Sequence, residues 1–448
     1  MKNRPFRFPY FLTDLLLGCA FSWFILWTGT QGFEAIQSAK YDLFLLLFGG
    51  YLALMTLFTV ELMAVRKMRP PKAQTLWKKA SAVQKTVVLF WMFSVVSTAL
   101  SPHISKALLG MSRGEGLLTI TIYCGCFLCV SVYGRWKRWH SWLLGGTMTV
   151  YVIICLLQLN GGNPLGLYPD GVNYFDANVA YSGIYLGTTG NADLTAALLC
   201  LIIPLLWIMI LRGKEKWRWL LLMPAVLCVL VLRKLDVQAG LVGIAVGTLF
   251  SIPVVLPVQK KWKKVLAVGV ALLIVFGLWS VWTTDHVWGT VYEFSQLMHG
   301  NWDDHFGNGR IYIWRQVLEQ IPENLWFGTG PDTMGAAEIR GFSRYNSVLG
   351  VELPYIVDTA HNEYLNILFH QGIFALLAYV GALFVSAYRW IKYSGKSGFA
   401  AACGGAVLCY CVQAFFGFSM CASAGLFWLV WALLERETNK IIRREKHE

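Results

Sequence analysis

A histidine that opens His361-Asn362-Glu363-Tyr364-Leu365 and an arginine that closes Gly307-Asn308-Gly309-Arg310 are the side chains here whose types suit chemistry. An imidazole, with a reference pKa of about 6.5, can take a proton near neutral pH from a hydroxyl that is otherwise a poor nucleophile. A guanidinium keeps its charge and meets a phosphate with two parallel hydrogen bonds. Arg113, Arg315 and Arg233 offer the same group. Taken singly, each has a plainer reading: His361 as an interfacial histidine at a helix start, Arg310 and Arg315 as headgroup contacts. Asp303-Asp304 reads as a solvated acidic turn, because two adjacent carboxylates without other ligand types make a weak metal site. No metal and no cofactor is expected. His370, nine residues beyond His361, is about half a helical turn out of phase and is expected to face elsewhere.

The elements that must position these residues are apolar. Of 448 residues, 56% are hydrophobic and 14% charged, which makes the chain an all-α integral membrane protein with the bilayer as its solvent. Apolar runs of spanning length fall at about 10–29, 41–64, 86–103, 116–134, 141–159, 190–211, 217–232, 239–258, 265–283, 361–388, 398–418 and 420–435, about 12 transmembrane helices. The last pair also reads as one re-entrant hairpin. With twelve spans, 29 of the 38 Lys and Arg fall on one side and nine, Lys40 among them, on the other, which puts both termini in the cytoplasm. The net charge of +13 is spread in short runs between spans, so it speaks for membrane orientation and against nucleic acid. The first apolar run has no small-x-small cleavage site and is expected to stay as a helix. The 11 cysteines lie in or beside apolar runs, without a disulfide or zinc pattern.

The chain divides into transmembrane helices 1–9 (1–283), a large extracytoplasmic loop (284–360), transmembrane helices 10–12 (361–435) and a basic cytoplasmic tail (436–448). Within the loop, Thr290 to Met298 and Arg310 to Ile321 have helical spacing, the latter through Ile311, Trp314, Val317, Leu318 and Ile321. Short amphipathic helices are expected there. Ionisable residues inside spans are few: Asp14 and Glu61 near ends, His370 in an interior. A proton- or ion-coupled transporter usually needs more.

Gly309-Arg310-Ile311-Tyr312-Ile313-Trp314, Trp326-Phe327-Gly328-Thr329-Gly330-Pro331-Asp332 and His361-Asn362-Glu363-Tyr364-Leu365 follow in that order. The set resembles the O-antigen ligase and polysaccharide polymerase superfamily, whose shared domain carries a Gly-Arg-x-x-x-Trp segment, a Phe-Gly-x-Gly turn and a His-Asn-x-Tyr-Leu helix start. Two further stretches resemble family segments: Gly110-Met111-Ser112-Arg113-Gly114-Glu115-Gly116, and Gly187-Thr188-Thr189-Gly190-Asn191-Ala192-Asp193. The second departs from a Gly-Asn-Pro-Asn pattern, with Ala192 for Pro and Asp193 for Asn. Where many relatives have Ser-Arg-Gly or Ser-Arg-Ala, this chain has Val237-Gln238-Ala239-Gly240. A second phosphate-binding arginine is thus missing at that place, with Arg233 and Lys234 as nearby substitutes.

The resemblance implies a GT-C-like membrane glycosyltransferase in a bacterial inner membrane. It implies transfer of a glycan from undecaprenyl pyrophosphate to a hydroxyl of a glycan or glycolipid acceptor on the outer side. His361 is then the general base and Arg310 stabilises the pyrophosphate, with Arg113, Arg315, Arg233, Asn362 and Tyr364 as substrate contacts. The leaving group is good enough that no metal is required. The rival reading is a polysaccharide exporter or flippase, which needs no such His–Arg set. Ligase, polymerase and protein O-glycosyltransferase stay open, since one donor site serves all three.

Overall fold

The structure, a computed structural model, describes residues 7–65, 72–176, 186–283, 289–337, 339, 344–346, 351–353, 357–446 and 448. Lys2, Arg4 and parts of the expected loop 284–360, Arg340 among them, lie outside the described residues.

The chain is a multi-pass membrane protein. Among the described residues, seven helices are long and apolar enough to cross a bilayer: Phe33–Ala64, Ala82–Leu100, Arg138–Leu159, Ala192–Arg212, Gln238–Val255, Lys260–Thr283 and Glu363–Lys396. Leu117–Tyr133 and Gly398–Ala414 are apolar but shorter. The remaining expected runs are helical without reaching that standard. The run at 10–29 is a helix, Arg7–Cys19, that passes into a π-helical turn, Ala20–Phe24. The run at 217–232 is a 3-10 turn followed by the helix Leu222–Leu235. The last pair forms two separate helices, Gly398–Ala414 and Cys421–Glu445. Among the described residues, Arg344–Asn346 pairs antiparallel with Val351–Leu353.

Small residues let these helices approach closely, which in an apolar solvent replaces the hydrophobic drive as the source of packing. The enclosed helix Ala192–Arg212 packs on Gly398–Ala414, which in turn packs on Gln238–Val255. Gly247 meets Cys409 there so closely that an added Cβ would lie 2.6 Å from its Cα.

Lys40 does not sit in a loop as expected. It is 1% exposed within the helix Ile36–Phe44, and its ammonium donates to the carbonyls of Phe24 and Ile25. Both carbonyls belong to the last turn before the helix ends at Leu26, where no intrahelical donor is left. Lys40 meets both, and the Thr188 hydroxyl also donates to that of Ile25. A second buried charge is Arg389, which donates to both carboxylate oxygens of Glu435 at 2.7 and 2.6 Å and to Asn439.

One junction positions the candidate site. The helix Glu363–Tyr393 is broken at Gly372, where φ is 79°. The turn Phe327-Gly328-Thr329-Gly330 fills that break. The N–H groups of Thr329 and Gly330 donate to the carbonyls of Phe369 and His370, and the N–H of Ile373 donates to the carbonyl of Leu325. The backbone groups freed by the broken helix are thereby satisfied by another segment of chain, as an interior devoid of water requires.

Candidate active site

Arg310 starts a helix. Helical hydrogen bonding runs through Phe306–Asn324, but Gly307, Asn308 and Gly309 all have positive φ. The regular helix therefore begins at Arg310, as the spacing predicts. Ile313, Val317 and Ile321 form its buried stripe, against Met334, Val357, Ala360 and Phe369; Leu318, expected on that stripe, is exposed. One turn beyond Arg310, Trp314 donates its indole N–H to the carbonyl of Ala360 at 2.7 Å. The four-residue spacing puts Arg and Trp on one face, so the tryptophan ties the arginine's helix to the residue before His361.

His361 is held just ahead of the helix that begins at Glu363, with φ at 48°. Asn362 caps that helix, accepting from the N–H groups of Tyr364 and Leu365 at 3.0 and 3.1 Å. Asn366 reaches back and accepts from the N–H of Ala360 at 2.8 Å. These bonds set the direction of the imidazole.

Asp193 brings the two together. Its Oδ2 lies 3.9 Å from Nη2 of Arg310 and 3.8 Å from Nδ1 of His361. These are ion-pair separations, beyond hydrogen-bond length. All three side chains are 19% exposed. Asn191 caps the helix Ala192–Arg212, accepting from the N–H of Asp193 at 2.8 Å, and so fixes the carboxylate's base. Asp193 carries no role in the motif reading; its one signal is a carboxylate where the relatives have an amide.

Arg113 reaches the same place from a different segment. Its guanidinium lies 4.1 Å from the ring centre of Phe418, and His361 meets the same ring edge-on at 5.2 Å. Its Nη2 donates to Asp358 at 2.8 Å, and it acts electrostatically on Asp193. The loop that presents it is wrapped round Asp332, whose Oδ2 accepts from the N–H groups of Ser112, Arg113 and Glu115 at 3.2, 2.9 and 3.4 Å. Burial pushes the Asp332 carboxyl up from its usual range, and those N–H groups pull it back. The last residue of the Phe-Gly-x-Gly-Pro-Asp stretch thus organises the Arg113 loop.

The other expected substrate contacts are occupied elsewhere. Arg315 pairs with Asp304 and is 55% exposed. Arg233 pairs with Asp236 at 3.3 Å and is 70% exposed; Gln238 donates to that same Asp236. Asn362 is spent on its cap, and the Tyr364 hydroxyl donates to the carbonyl of Cys411 at 2.9 Å. Asp303 accepts from the backbone N–H of His305 and meets its ring. His370 takes the N–H of Thr333 on Nδ1 at 3.3 Å, apart from His361 as its phase predicts. Among the described residues no three His, Cys, Asp or Glu side chains group as metal ligands would.

Arg310 and Arg113 each keep a buried Nε without a hydrogen-bond partner among the described residues. Buried guanidinium donors are costly to leave unused. Two such groups converging on one imidazole are suited to hold an anionic, phosphate-like group beside a proton acceptor.

Compared with known families, residues 225–380 match the family model described as O-antigen ligase. Arg310 and His361 fall inside the matched residues; Arg113 and Asp193 lie before them. No curated protein matches the chain.

Proposed function

From the O-antigen ligase domain that residues 225–380 carry, we propose that this membrane enzyme transfers a glycan from undecaprenyl pyrophosphate to an acceptor hydroxyl. The transfer takes place on the outer side of a bacterial cytoplasmic membrane, and both termini are cytoplasmic. The acceptor is a hydroxyl of a further glycan or of a glycolipid. The observation that supports this reading is that Arg310 and Arg113 each keep a buried Nε without a partner among the described residues, with Arg310 and His361 both beside Asp193 and Arg113 and His361 both on the Phe418 ring.

The acceptor oxygen bonds to the anomeric carbon of the donor as that carbon's bond to the pyrophosphate oxygen breaks, and the leaving oxygen keeps the electron pair. Arg310 and Arg113 meet the negative charge that gathers there. The acceptor proton passes to Nε2 of His361, because Nδ1 is turned toward Asp193. The carboxylate then faces the imidazolium it helps to form and holds the ring in one orientation.

The test is a reconstitution. Purified protein in liposomes, given lipid-linked glycan and acceptor, should form a new glycosidic bond and release undecaprenyl pyrophosphate. Movement of intact lipid-linked glycan between leaflets with no bond formed would instead identify an exporter.

A further inference from the structure

The helix Ala192–Arg212 carries Asp193 in its first turn and rises roughly 28 Å from there to its end, at 1.5 Å per residue. That is about the thickness of a bilayer's hydrocarbon core, so its far end lies at the opposite membrane boundary. There two other helices begin, Arg138–Leu159 and Leu222–Leu235, the second led in by the 3-10 turn Lys216–Leu221. Gly145 lets them meet: an added Cβ would lie 2.7 Å from Cδ2 of Leu221. The contact sets Arg138 against two indoles, its guanidinium carbon 4.8 Å from the ring centre of Trp142 and 5.7 Å from that of Trp217. Arg218 follows Trp217 in the turn. Its stem lies against the end of Ala192–Arg212, with Cδ 3.2 Å from an added Cβ on Gly213, and its guanidinium carbon is 5.1 Å from the Trp219 ring centre.

These cations lack a counter-charge. Arg138 is exposed and Arg218 half-buried, and neither side chain has an ion pair among the described residues. From Arg212 to Leu222 the single acidic residue is Glu215, against Arg212, Lys214, Lys216 and Arg218. Asp14 is taken by Lys137 and Arg135. Neither Arg138–Leu159 nor Leu222–Leu235 has an acidic residue in its first turn, although a helix start is itself positive and favours an anion beside it. Nε of Arg218 and Nε1 of Trp217 are enclosed donors with no acceptor among the described residues, which is costly while they stay unused. A ring face holds a guanidinium by its charge and leaves N–H groups for an oxyanion. The surface beside these cations is apolar: Trp142, Trp219 and Leu220 are 52%, 56% and 74% exposed. Cations that want an oxyanion, next to a surface that wants hydrocarbon, match an amphiphile better than a free anion.

We propose that this cluster binds an anionic phospholipid of the surrounding membrane, with its phosphate between Arg138 and Arg218 and its acyl chains over Trp142, Trp219 and Leu220. The bound lipid supplies the negative charge that the two helix starts lack and joins them at the membrane boundary. The site is separate from the transfer site and does not rest on the transfer reading.

The experiment is lipid binding by the purified, delipidated full chain in a neutral detergent, read as lipid adducts by native mass spectrometry. Dioleoylphosphatidylglycerol is the probe, and dioleoylphosphatidylcholine, whose phosphate is neutralised by its own ammonium, is the comparison. The unaltered protein should bind the phosphatidylglycerol at least about fivefold more tightly than the phosphatidylcholine, and excess inorganic phosphate should leave it bound. Arg138→Gln and Arg218→Gln should each weaken phosphatidylglycerol binding about fivefold, the worth of one cation beside an anionic headgroup. Lys78→Gln and Lys79→Gln remove the same charge from the exposed helix Ala73–Lys79 and should leave binding within about twofold. Equal binding of the two lipids by the unaltered protein would overturn the proposal whether or not any variant folds. Displacement by inorganic phosphate would overturn it in favour of a free anion. Equal losses in the arginine and lysine variants would overturn it in favour of diffuse surface charge.

Discussion

Four side chains from distant segments, Arg113, Asp193, Arg310 and His361, carry the proposed chemistry. His361→Ala should lower the transfer rate by about two to four orders of magnitude, the contribution of a positioned proton acceptor, with donor binding kept. Arg310→Ala should weaken donor binding and slow transfer together. Arg310→Lys should recover only part, because an ammonium cannot reproduce the two-pronged contact. Single-turnover transfer and donor binding by each purified variant separate these outcomes; near-normal transfer by His361→Ala would remove the base. Asp193→Asn is a sharper probe, since it keeps the shape and the Asn191 cap while removing the charge. The carboxylate partly neutralises Arg310 at 3.9 Å and orients His361 at 3.8 Å. The variant should therefore bind donor about two- to fivefold more tightly and transfer about tenfold more slowly. Parallel losses in both would assign Asp193 a merely structural part.

At the level of elements, the site depends on the turn at residues 327–330 filling the break at Gly372. A Cβ on Gly328 would lie 2.4 Å from the carbonyl carbon and oxygen of His370, and one on Gly372 would lie 2.3 Å from the carbonyl oxygen of Trp326. Both glycines also have positive φ, 69° and 79°. Gly328→Ala and Gly372→Ala should each cost about 2–4 kcal/mol, combining the left-handed backbone penalty with overpacking. Gly381, on the same long helix but with nothing within 4 Å of its added Cβ, should tolerate Ala or gain up to about 1 kcal/mol. Thermal unfolding in detergent compares the three. Equal midpoints for Gly328→Ala and Gly381→Ala would mean that the junction does not hold the loop. The hydrogen bonds tie the three motif stretches to one another and to Arg113: Trp314 holds Ala360, the 327–330 turn holds residues 369–373, and Asp332 holds the Arg113 loop.

For the whole molecule, the proposed orientation rests on the asymmetry of Lys and Arg and predicts which surface faces outward. Asn301 is exposed between the helices Gly289–Met298 and Phe306–Asn324, and Ala73 is exposed in a basic helix of the bundle. In spheroplasts a membrane-impermeant thiol reagent should label Asn301→Cys and spare Ala73→Cys. The native cysteines, all buried or half-buried, give little background. Labelling in the opposite sense would put Arg310 and His361 on the cytoplasmic side, where the proposed outer-face transfer cannot occur.

Membrane class, helix starts and the three motif stretches were legible because each is written in local pattern. Apolar runs report their solvent, glycines and asparagines mark where helices begin, and a four-residue Arg–Trp spacing shows a shared face. The buried Lys40 was misplaced because a single lysine beside an apolar run looks like a boundary; only the end of the first helix, whose carbonyl at Phe24 lies 16 residues earlier, reveals what it serves. Asp193 was legible as a departure and not as a partner of His361, which stands 168 residues away in the chain. Which distant side chains meet is decided by how helices dock, through small-residue contacts and interlocked backbone turns, and that geometry has no signature in any one segment. The tertiary structure therefore decided that Arg113, Asp193, Arg310 and His361 share one place and that Arg315 and Arg233 do not.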